Sequence, residues 1–204
     1  GECELRVTAK AASEDEVQSL LRPTVDQVKA LFGDKVYGVD VPSLEYVVIQ
    51  ALKTKDLTLG VAESCTGGLI AKRLTDVPGA SAAFKGGIVS YTNEVKENIL
   101  GVPPHMLERY GAVSKEVAAA MAEGARQALG CDIALSATGV AGPDKDDWGN
   151  EVGTMFVAIS TFKGTHVRPL HLGTRPMRER LRTQAASHAF DLARRYLSGL
   201  DYGN

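Results

Sequence analysis

The sequence contains few aromatic residues, few cysteines and no excess of charge of one sign. Phe, Trp and Tyr make up 6% of its 204 residues, and 23 Lys and Arg nearly balance 25 Asp and Glu, so the net charge is −2. Nucleic-acid-binding proteins typically carry a basic face or aromatic side chains on which bases stack. The composition therefore predicts no nucleic-acid partner.

The three cysteines, Cys3, Cys65 and Cys131, lie far apart and form neither a CxxC pair nor a cluster with histidine. This spacing excludes a disulfide framework and a zinc site, so we expect no metal and a reducing, cytoplasmic location. The nucleotide-binding motifs GxGxxG and GxxxxGK[ST] are also absent, so no cofactor is expected. No apolar run approaches the ~20 residues that span a bilayer, so we expect no membrane partner.

Apolar runs alternate with helical patterns through most of the chain, in which hydrophobic residues make up 44%. This order predicts an α/β layered domain with a mixed β-sheet flanked by helices. Strands are predicted at 57–62, 84–91, 131–137, 153–161 and 165–172, the last two as an antiparallel hairpin. The main helices are predicted at 44–52, 69–74, 93–100, 115–129 and 177–197, with Ser43 and Ser114 as caps of two of them.

Residues 1–40 carry a separate pattern. Residues 2–11 alternate between polar and apolar as in a half-buried strand, a capping box at Ser13 predicts a helix that ends at Gly33, and 36–39 fits a second short strand. We therefore predict a partial β-α-β linker or accessory domain at 1–40 and a main domain at 41–204. So small an apolar unit cannot bury a core by itself, which predicts self-association, with a homodimer as the expected state. A start without Met is typical of a piece of a longer protein.

The stretch 57–68, LTLGVAESCTGG, carries the first functional hypothesis. An apolar strand ends at a polar turn, and apolar residues at helical spacing follow at 69–74. Ser64 would thus lie beside the first amides of a helix, as nucleophilic serines do in other strand–turn–helix units. Gly67 and Gly68 would let a substrate approach the backbone closely. The alternative is that the hydroxyl groups of the turn only cap the helix.

A serine nucleophile needs a base, and the four histidines do not lie beside a glycine-rich turn in the predicted elements. Lys96 is the stronger candidate, because a lysine desolvated among apolar neighbours loses proton affinity. The alternative is that Lys96 is a solvated surface residue and Tyr91 a packing residue rather than a proton relay. Cys65 is a further candidate nucleophile, but it lacks a histidine–acid pair, which favours a small buried thiol.

A second predicted strand also ends in a glycine-rich polar turn, at 138–143. Open α/β sheets bind ligands beyond the carboxyl ends of their strands. We therefore expect Thr138, Gly139 and Gly142 to line one cleft together with the Ser64 turn.

Four runs of the sequence, in this order, closely resemble the CinA family: VAESCTGGL at 61–69, GGIVSYTNEVK at 86–96, GAVS at 111–114 and ATGVAGP at 137–143. The resemblance covers 43–198 and is to the C-terminal nicotinamide-nucleotide amidase domain of that family, and 1–40 resembles the tail of the linker domain that precedes it. It implies hydrolysis of a small nucleotide, nicotinamide mononucleotide, to nicotinate mononucleotide and ammonia without a metal, as in pyridine nucleotide salvage.

The same resemblance implies a role for individual residues. Ser64 would be the nucleophile, Lys96 the general base and Tyr91 its companion. Attack of a serine on a carboxamide creates an oxyanion, which we expect backbone amides of the turn that contains Ser64 and Gly67 to stabilise. The implied substrate-binding residues are Thr138, Gly67, Gly68, Gly139, Gly142, Arg178 and Arg182, the two arginines for the substrate phosphate.

The sequence departs from the family pattern at two places. Asp144, Lys145, Asp146 and Asp147 stand where the family has further glycines, and Pro176-Met177-Arg178 replaces Gly-Asp-Arg ahead of the last helix. A second hypothesis therefore stands beside the amidase: a catalytically weak nucleotide-binding or interaction module of a longer CinA protein.

Overall fold

A computed structural model describes residues 2–173 and 177–202 of the protein. Seven α-helices are formed in the described residues: α1 Glu14–Phe32, α2 Leu44–Thr54, α3 Leu69–Thr75, α4 Asn93–Leu100, α5 Pro104–Tyr110, α6 Lys115–Ala128 and α7 Arg178–Leu197. The strands are β1 Leu59–Glu63, β2 Phe84–Val89, β3 Ile133–Gly139, β4 Thr154–Thr161 and β5 Gly164–His171, and short 3₁₀ helices lie at Gly33–Lys35 and Ala80–Ala82. No described helix is long and apolar enough to cross a membrane.

The five strands form one mixed sheet in the order β2-β1-β3-β4-β5. β1 lies between β2 and β3 and is parallel to both, whereas β3–β4 and β4–β5 are antiparallel. The predicted α/β layered domain with a mixed sheet and a C-terminal hairpin is therefore confirmed. Because β1, β2 and β3 run in the same direction, the loops that follow them meet at one edge of the sheet.

Helices cover both faces of this sheet. One face packs on α2, α3 and α7 through the main apolar cluster, which includes Leu52, Leu74 and Phe190. The other packs on α4, α5 and α6 through a second cluster, which includes Leu100 and Met121. All five residues of β1 are buried, as expected for a central parallel strand with helices on both faces.

The prediction of a β-α-β unit in residues 1–40 is wrong in its strands. Ser13 caps α1 through the amide of Glu16, as the capping box predicts, and Pro23 does not divide the helix. Residues 2–11 and 36–39, however, join no sheet among the described residues. Period-two alternation forms a strand only where a neighbouring strand supplies hydrogen bonds. None of the residues of α1 is buried.

The N-terminal segment is held to the main domain at its two ends by polar contacts. The carboxylate of Glu2 accepts hydrogen bonds from Arg73 on α3 and Ser187 on α7, at 2.7 and 2.6 Å. Asp34 accepts hydrogen bonds from Arg194 through its carbonyl, at 2.9 Å, and from Arg195 through its carboxylate, at 2.5 Å. The segment is therefore attached by these polar contacts and by Tyr37, which packs against the main apolar cluster, rather than by α1.

Candidate active site

Ser64 is the first residue after β1, in the turn that leads into α3. Glu63 and Ala137 are register partners at the ends of β1 and β3, and the amide of Ser64 donates to the carbonyl of Ala137 at 2.9 Å. Gly67 and Gly68 adopt positive φ angles of 58° and 94°, a conformation that favours glycine. The predicted strand–turn–helix placement of Ser64 is therefore confirmed.

Lys96 lies against this turn. Its side chain projects from α4, is 1% exposed, and places Nζ 3.3 Å from the Oγ of Ser64. Two backbone carbonyls also surround the amine, Ser90 at 2.8 Å and Tyr91 at 3.4 Å. Burial lowers the pKa of Lys96 from 10.5 to about 8, because the charged form loses hydration. The alternative of a solvated surface lysine is therefore wrong.

The three neighbours of Lys96 are all hydrogen-bond acceptors for its Nζ. The amine donates to the carbonyls of Ser90 and Tyr91 and to the Oγ of Ser64, which matches the three N–H groups of the charged form. Once Lys96 has lost a proton, the two carbonyls can keep its two remaining N–H groups and leave the lone pair for the Ser64 hydroxyl. This arrangement can remove the proton of Ser64.

Glu63 is a neighbour of Ser64 that the sequence interpretation missed. It is fully buried, and its carboxylate accepts hydrogen bonds from the amides of Gly68, Ile70 and Ala71 at 2.8 to 3.0 Å. A carboxylate at the positive end of a helix is favourable, and these bonds fix the first turn of α3. The amides at the start of this helix are consequently occupied by the protein itself.

The backbone amides of the turn that contains Ser64 and Gly67 differ in their hydrogen-bond partners. The amide of Ser64 donates to Ala137, and that of Gly67 donates to the carbonyl of Ser64 at 3.1 Å. Within the described residues the amides of Cys65 and Thr66 donate to no protein acceptor. These two amides directly follow Ser64 in the turn, and both residues are buried, Cys65 at 5% and Thr66 at 0% exposure.

The second glycine-rich turn follows β3 beside the Ser64 turn, as expected for adjacent parallel strands. Thr138 is 1% exposed and its hydroxyl donates to the carbonyl of Ala112 at 2.8 Å. A Cβ at Gly139 would lie 2.4 Å from the side chain of Met155, so strand packing alone requires this glycine. Gly142 has a φ of 81° and presents its carbonyl to Arg178.

The two candidate phosphate-binding arginines, one turn apart on α7, have different surroundings. Arg182 binds the Ser64 turn itself, with Nε 3.1 Å from the carbonyl of Cys65 and Nη2 2.6 Å from that of Thr66. Arg178 is exposed and lies between the Gly142 carbonyl, at 2.5 Å, and the hydroxyl of Tyr91, at 3.4 Å.

Tyr91 contacts the Ser64–Lys96 pair, the dyad, through its backbone. Its carbonyl accepts from Lys96, whereas its hydroxyl accepts from Arg178 and its side chain is 61% exposed. The structure therefore places Tyr91 at the rim of the cleft. Among the described residues its hydroxyl makes no hydrogen bond to Ser64 or Lys96.

The acidic loop that departs from the family pattern is organised by its own side chains. The carboxylate of Asp146 accepts from the amide of Trp148 at 3.0 Å and from the amide and side chain of Asn150, both at 2.8 Å. Trp148 packs over Gly111, where a Cβ would lie 2.7 Å from the indole. The other departure includes Pro176, which lies outside the described residues.

Cys65 and the histidines make no hydrogen bond to the Lys96 amine, whose partners among the described residues are Ser64, Ser90 and Tyr91. Burial raises the pKa of the Cys65 thiol to about 12, so this group stays protonated and weakly nucleophilic. His166 lies on β5, where it packs edge-on against Tyr202, and His188 is half-buried on α7. In the described part of the chain, no group of three or more His, Cys, Asp and Glu could hold a metal ion.

Comparison with known proteins agrees with this fold and with these motifs. The profile of the CinA C-terminal domain matches residues 41–197, and that of the damage-inducible protein CinA KH domain matches 1–38. The chain belongs to the CinA family. A CinA-like protein of Desulfovibrio desulfuricans is 47% identical over 96% of this chain, and one of Frankia casuarinae is 48% identical over 98%.

The similarity to the CinA family extends to solved structures. The crystal structure of a competence-damaged protein (CinA) superfamily protein from Klebsiella pneumoniae has a TM-score of 0.74 and 29% identity, with 76% of this chain and 96% of that chain covered. The chain spans about half the length of the curated relatives, with 46% of both the Desulfovibrio and the Frankia protein covered.

Proposed function

We propose that this chain is a serine amidohydrolase that deamidates nicotinamide mononucleotide to nicotinate mononucleotide and ammonia. The observation that carries the proposal is the 3.3 Å contact between the buried, pKa-lowered amine of Lys96 and the Oγ of Ser64. A hydroxyl paired with a neutral amine is an activated nucleophile, and amides are substrates for acyl transfer through such a group. The substrate itself is inferred from the family motifs.

The first half of the reaction forms an acyl-enzyme. Lys96 takes the proton of Ser64 as its oxygen attacks the carboxamide carbon, and the carbonyl electron pair moves to the oxygen. The amides of Cys65 and Thr66 stabilise that oxyanion. Its collapse breaks the C–N bond, and Lys96 returns the proton to the leaving nitrogen, which departs as ammonia.

The second half hydrolyses the ester that joins the nicotinoyl group to Ser64. Lys96, neutral again, takes a proton from a water molecule that attacks the same carbon. Collapse of this intermediate breaks the bond to Ser64, and the proton on Lys96 passes to the serine oxygen. The products are nicotinate mononucleotide and free enzyme, so no cofactor is consumed.

In this proposal the remaining residues of the cleft bind the substrate or hold the Ser64 turn in place. Arg178, exposed at the rim beside Tyr91 and Gly142, is the group we assign to the substrate phosphate. Arg182 holds the carbonyls of Cys65 and Thr66, which keeps the amides of the same turn oriented. Glu63 fixes the other side of the turn through α3.

Ammonia release from nicotinamide mononucleotide, measured with the purified chain and with Ser64→Ala, tests the proposal. We expect turnover in the parent and its loss in the variant. Binding of the nucleotide without ammonia release would instead favour the second hypothesis, a binding or interaction module. That hypothesis is favoured by the chain spanning only about half of its relatives, whose other half could hold the chemistry.

A further inference from the structure

Gly124 lies within α6, a helix rich in alanine and remote in sequence from the catalytic turn. A glycine in a helix interior is destabilising by about 1 kcal/mol relative to alanine. In a run such as AAAMAEGARQA, alanine would therefore be the better choice for the helix alone. Gly124 is buried, so a close neighbour accounts for it.

That neighbour is the backbone of α4, the helix that carries Lys96. A Cβ at Gly124 would lie 1.9 Å from the carbonyl oxygen of Leu100, 2.7 Å from its carbonyl carbon and 2.9 Å from its Cα. These are backbone atoms, which cannot rotate away as a side chain can. An alanine would therefore require α4 or α6 to retreat by about 1.5 Å to bring this atom to an ordinary contact.

Such a retreat would reach the catalytic pair. Leu100 is the last residue of α4 and lies one turn after Lys96, whose carbonyl accepts from the amide of Val102 at 3.1 Å. A helix of two turns moves as a unit, because each turn is hydrogen-bonded to the next. The Nζ of Lys96 is already 3.3 Å from Ser64, near the limit of a hydrogen bond.

We propose that Gly124 is a positioning residue for the proposed reaction: its lack of a side chain lets α4 pack close enough to α6 for Lys96 to reach Ser64. This inference rests on the proposed role of the dyad but concerns a residue outside the cleft. A misplacement of about 1 Å can lower turnover by about a hundredfold without any change in the reacting groups.

The proposal is tested with Gly124→Ala, with Glu123→Ala, an exposed neighbour on the same helix, as the matched control. We expect the glycine variant to lose ten- to a hundredfold in kcat with little change in KM, and the control to retain both. A second readout is the rate at which phenylmethylsulfonyl fluoride labels Ser64, followed by mass spectrometry as a function of pH. This readout needs no turnover of the nucleotide.

The pH dependence of labelling separates positioning from a general loss of stability. If α4 retreats, water reaches Lys96 and its pKa rises towards that of an ordinary lysine. The pH range over which the labelling rate of Ser64 rises, here called the labelling limb, then moves to higher pH. Cys65 faces Lys96 from the Ser64 turn, but its thiol stays neutral below its pKa of about 12. The carboxylate of Glu63 is bound to the amides of α3, and the hydroxyl of Tyr91 faces Arg178.

The inference would be overturned if Gly124→Ala changed neither kcat nor the pH range over which the labelling rate of Ser64 rises. If that variant does not fold, Leu100→Val takes its place, because the Leu100 side chain packs in the second apolar cluster with Met121 of α6 and its loss of one methylene loosens the packing of α4 on α6. An alkaline shift in Leu100→Val supports the inference, and an unmoved limb overturns it. Failure of the proposed function is distinct: the parent would then label at Ser64 but release no ammonia, and the comparison of labelling limbs would still decide the role of Gly124.

Discussion

The carbonyl oxygen of Ser90 lies 2.8 Å from the Nζ of Lys96, a shorter distance than that from the same amine to Ser64. The carbonyl thus fixes one N–H of the amine, and the carbonyl of Tyr91 lies near a second. A base held in this way must first lose a proton, since only the neutral amine has a lone pair that can accept the proton of Ser64.

The first prediction concerns pH. We expect kcat/KM to rise about tenfold per pH unit on the acid side and to level off above the Lys96 pKa of about 8, since only the deprotonated amine accepts the proton of Ser64. Lys96→Arg should be nearly inactive, because a guanidinium keeps its charge, and Lys96→Met should be inactive but folded. Initial rates across pH 6 to 10, with exposed Lys72→Met as control, check this.

Substantial activity in Lys96→Arg would contradict the role of a base. Lys96 would then act as a fixed positive charge, and Tyr91 would be the next group to test for proton transfer.

The second prediction concerns the nucleophile. Ser64→Ala should lower turnover by several orders of magnitude while circular dichroism and the melting temperature stay near those of the parent, since the hydroxyl is lost from a half-buried turn. Rapid quenching of the parent should show, on the peptide that contains Ser64, the added mass of the nicotinate mononucleotide acyl group with its ribose phosphate. Near-normal ammonia release by the variant would contradict the serine mechanism.

The third prediction separates the two arginines. Arg178→Ala should raise KM about tenfold or more with a smaller effect on kcat, because phosphate binding is felt equally in the ground and transition states. Arg182→Ala should mainly lower kcat, since its guanidinium holds the carbonyls of Cys65 and Thr66. Steady-state kinetics on both variants and on exposed Arg180→Ala check the split. An unchanged KM in Arg178→Ala would place the phosphate elsewhere, for example on the 139–142 turn.

The fourth prediction concerns Glu63. In Glu63→Gln the side-chain NH₂ replaces one acceptor oxygen and faces a backbone amide of α3, so a buried donor loses its partner. We expect the free energy of unfolding to fall by about 1–3 kcal/mol and kcat to fall with KM little changed. Denaturant unfolding and kinetics measure both, and exposed Glu94→Gln serves as control. A variant with parental stability and kcat would show that the carboxylate does not hold the turn.

The parts of the fold that depend on local order were predictable. The strand–turn–helix unit at Ser64 is encoded within about a dozen residues, and the caps at Ser43 and Ser114 form as expected, with bonds to Tyr46 and Val117. The position of Lys96 one turn into α4 is likewise local. Its burial and its contact with Ser64 do not follow from the local sequence, since they depend on where α4 packs.

The parts that depend on distant partners were not predictable. Residues 2–11 have the alternation of a strand, but no described strand lies beside them to supply the ladder. Glu63 ends a strand and resembles a solvated carboxylate until α3 folds back over it, although a carboxylate just ahead of a helix that lacks a polar N-cap side chain was a usable indication. Gly124 resembles an unremarkable small residue until the Leu100 carbonyl is placed against it.

Arg182 reaches Cys65 across 117 positions of the sequence, which has a consequence for the order of synthesis. The ribosome makes the Ser64 turn long before it makes the helix that holds that turn in shape. A nascent chain can therefore carry both Ser64 and Lys96 while their turn still lacks its clamp. The proposed hydrolysis should therefore begin only once α7 has been made and has docked against the turn.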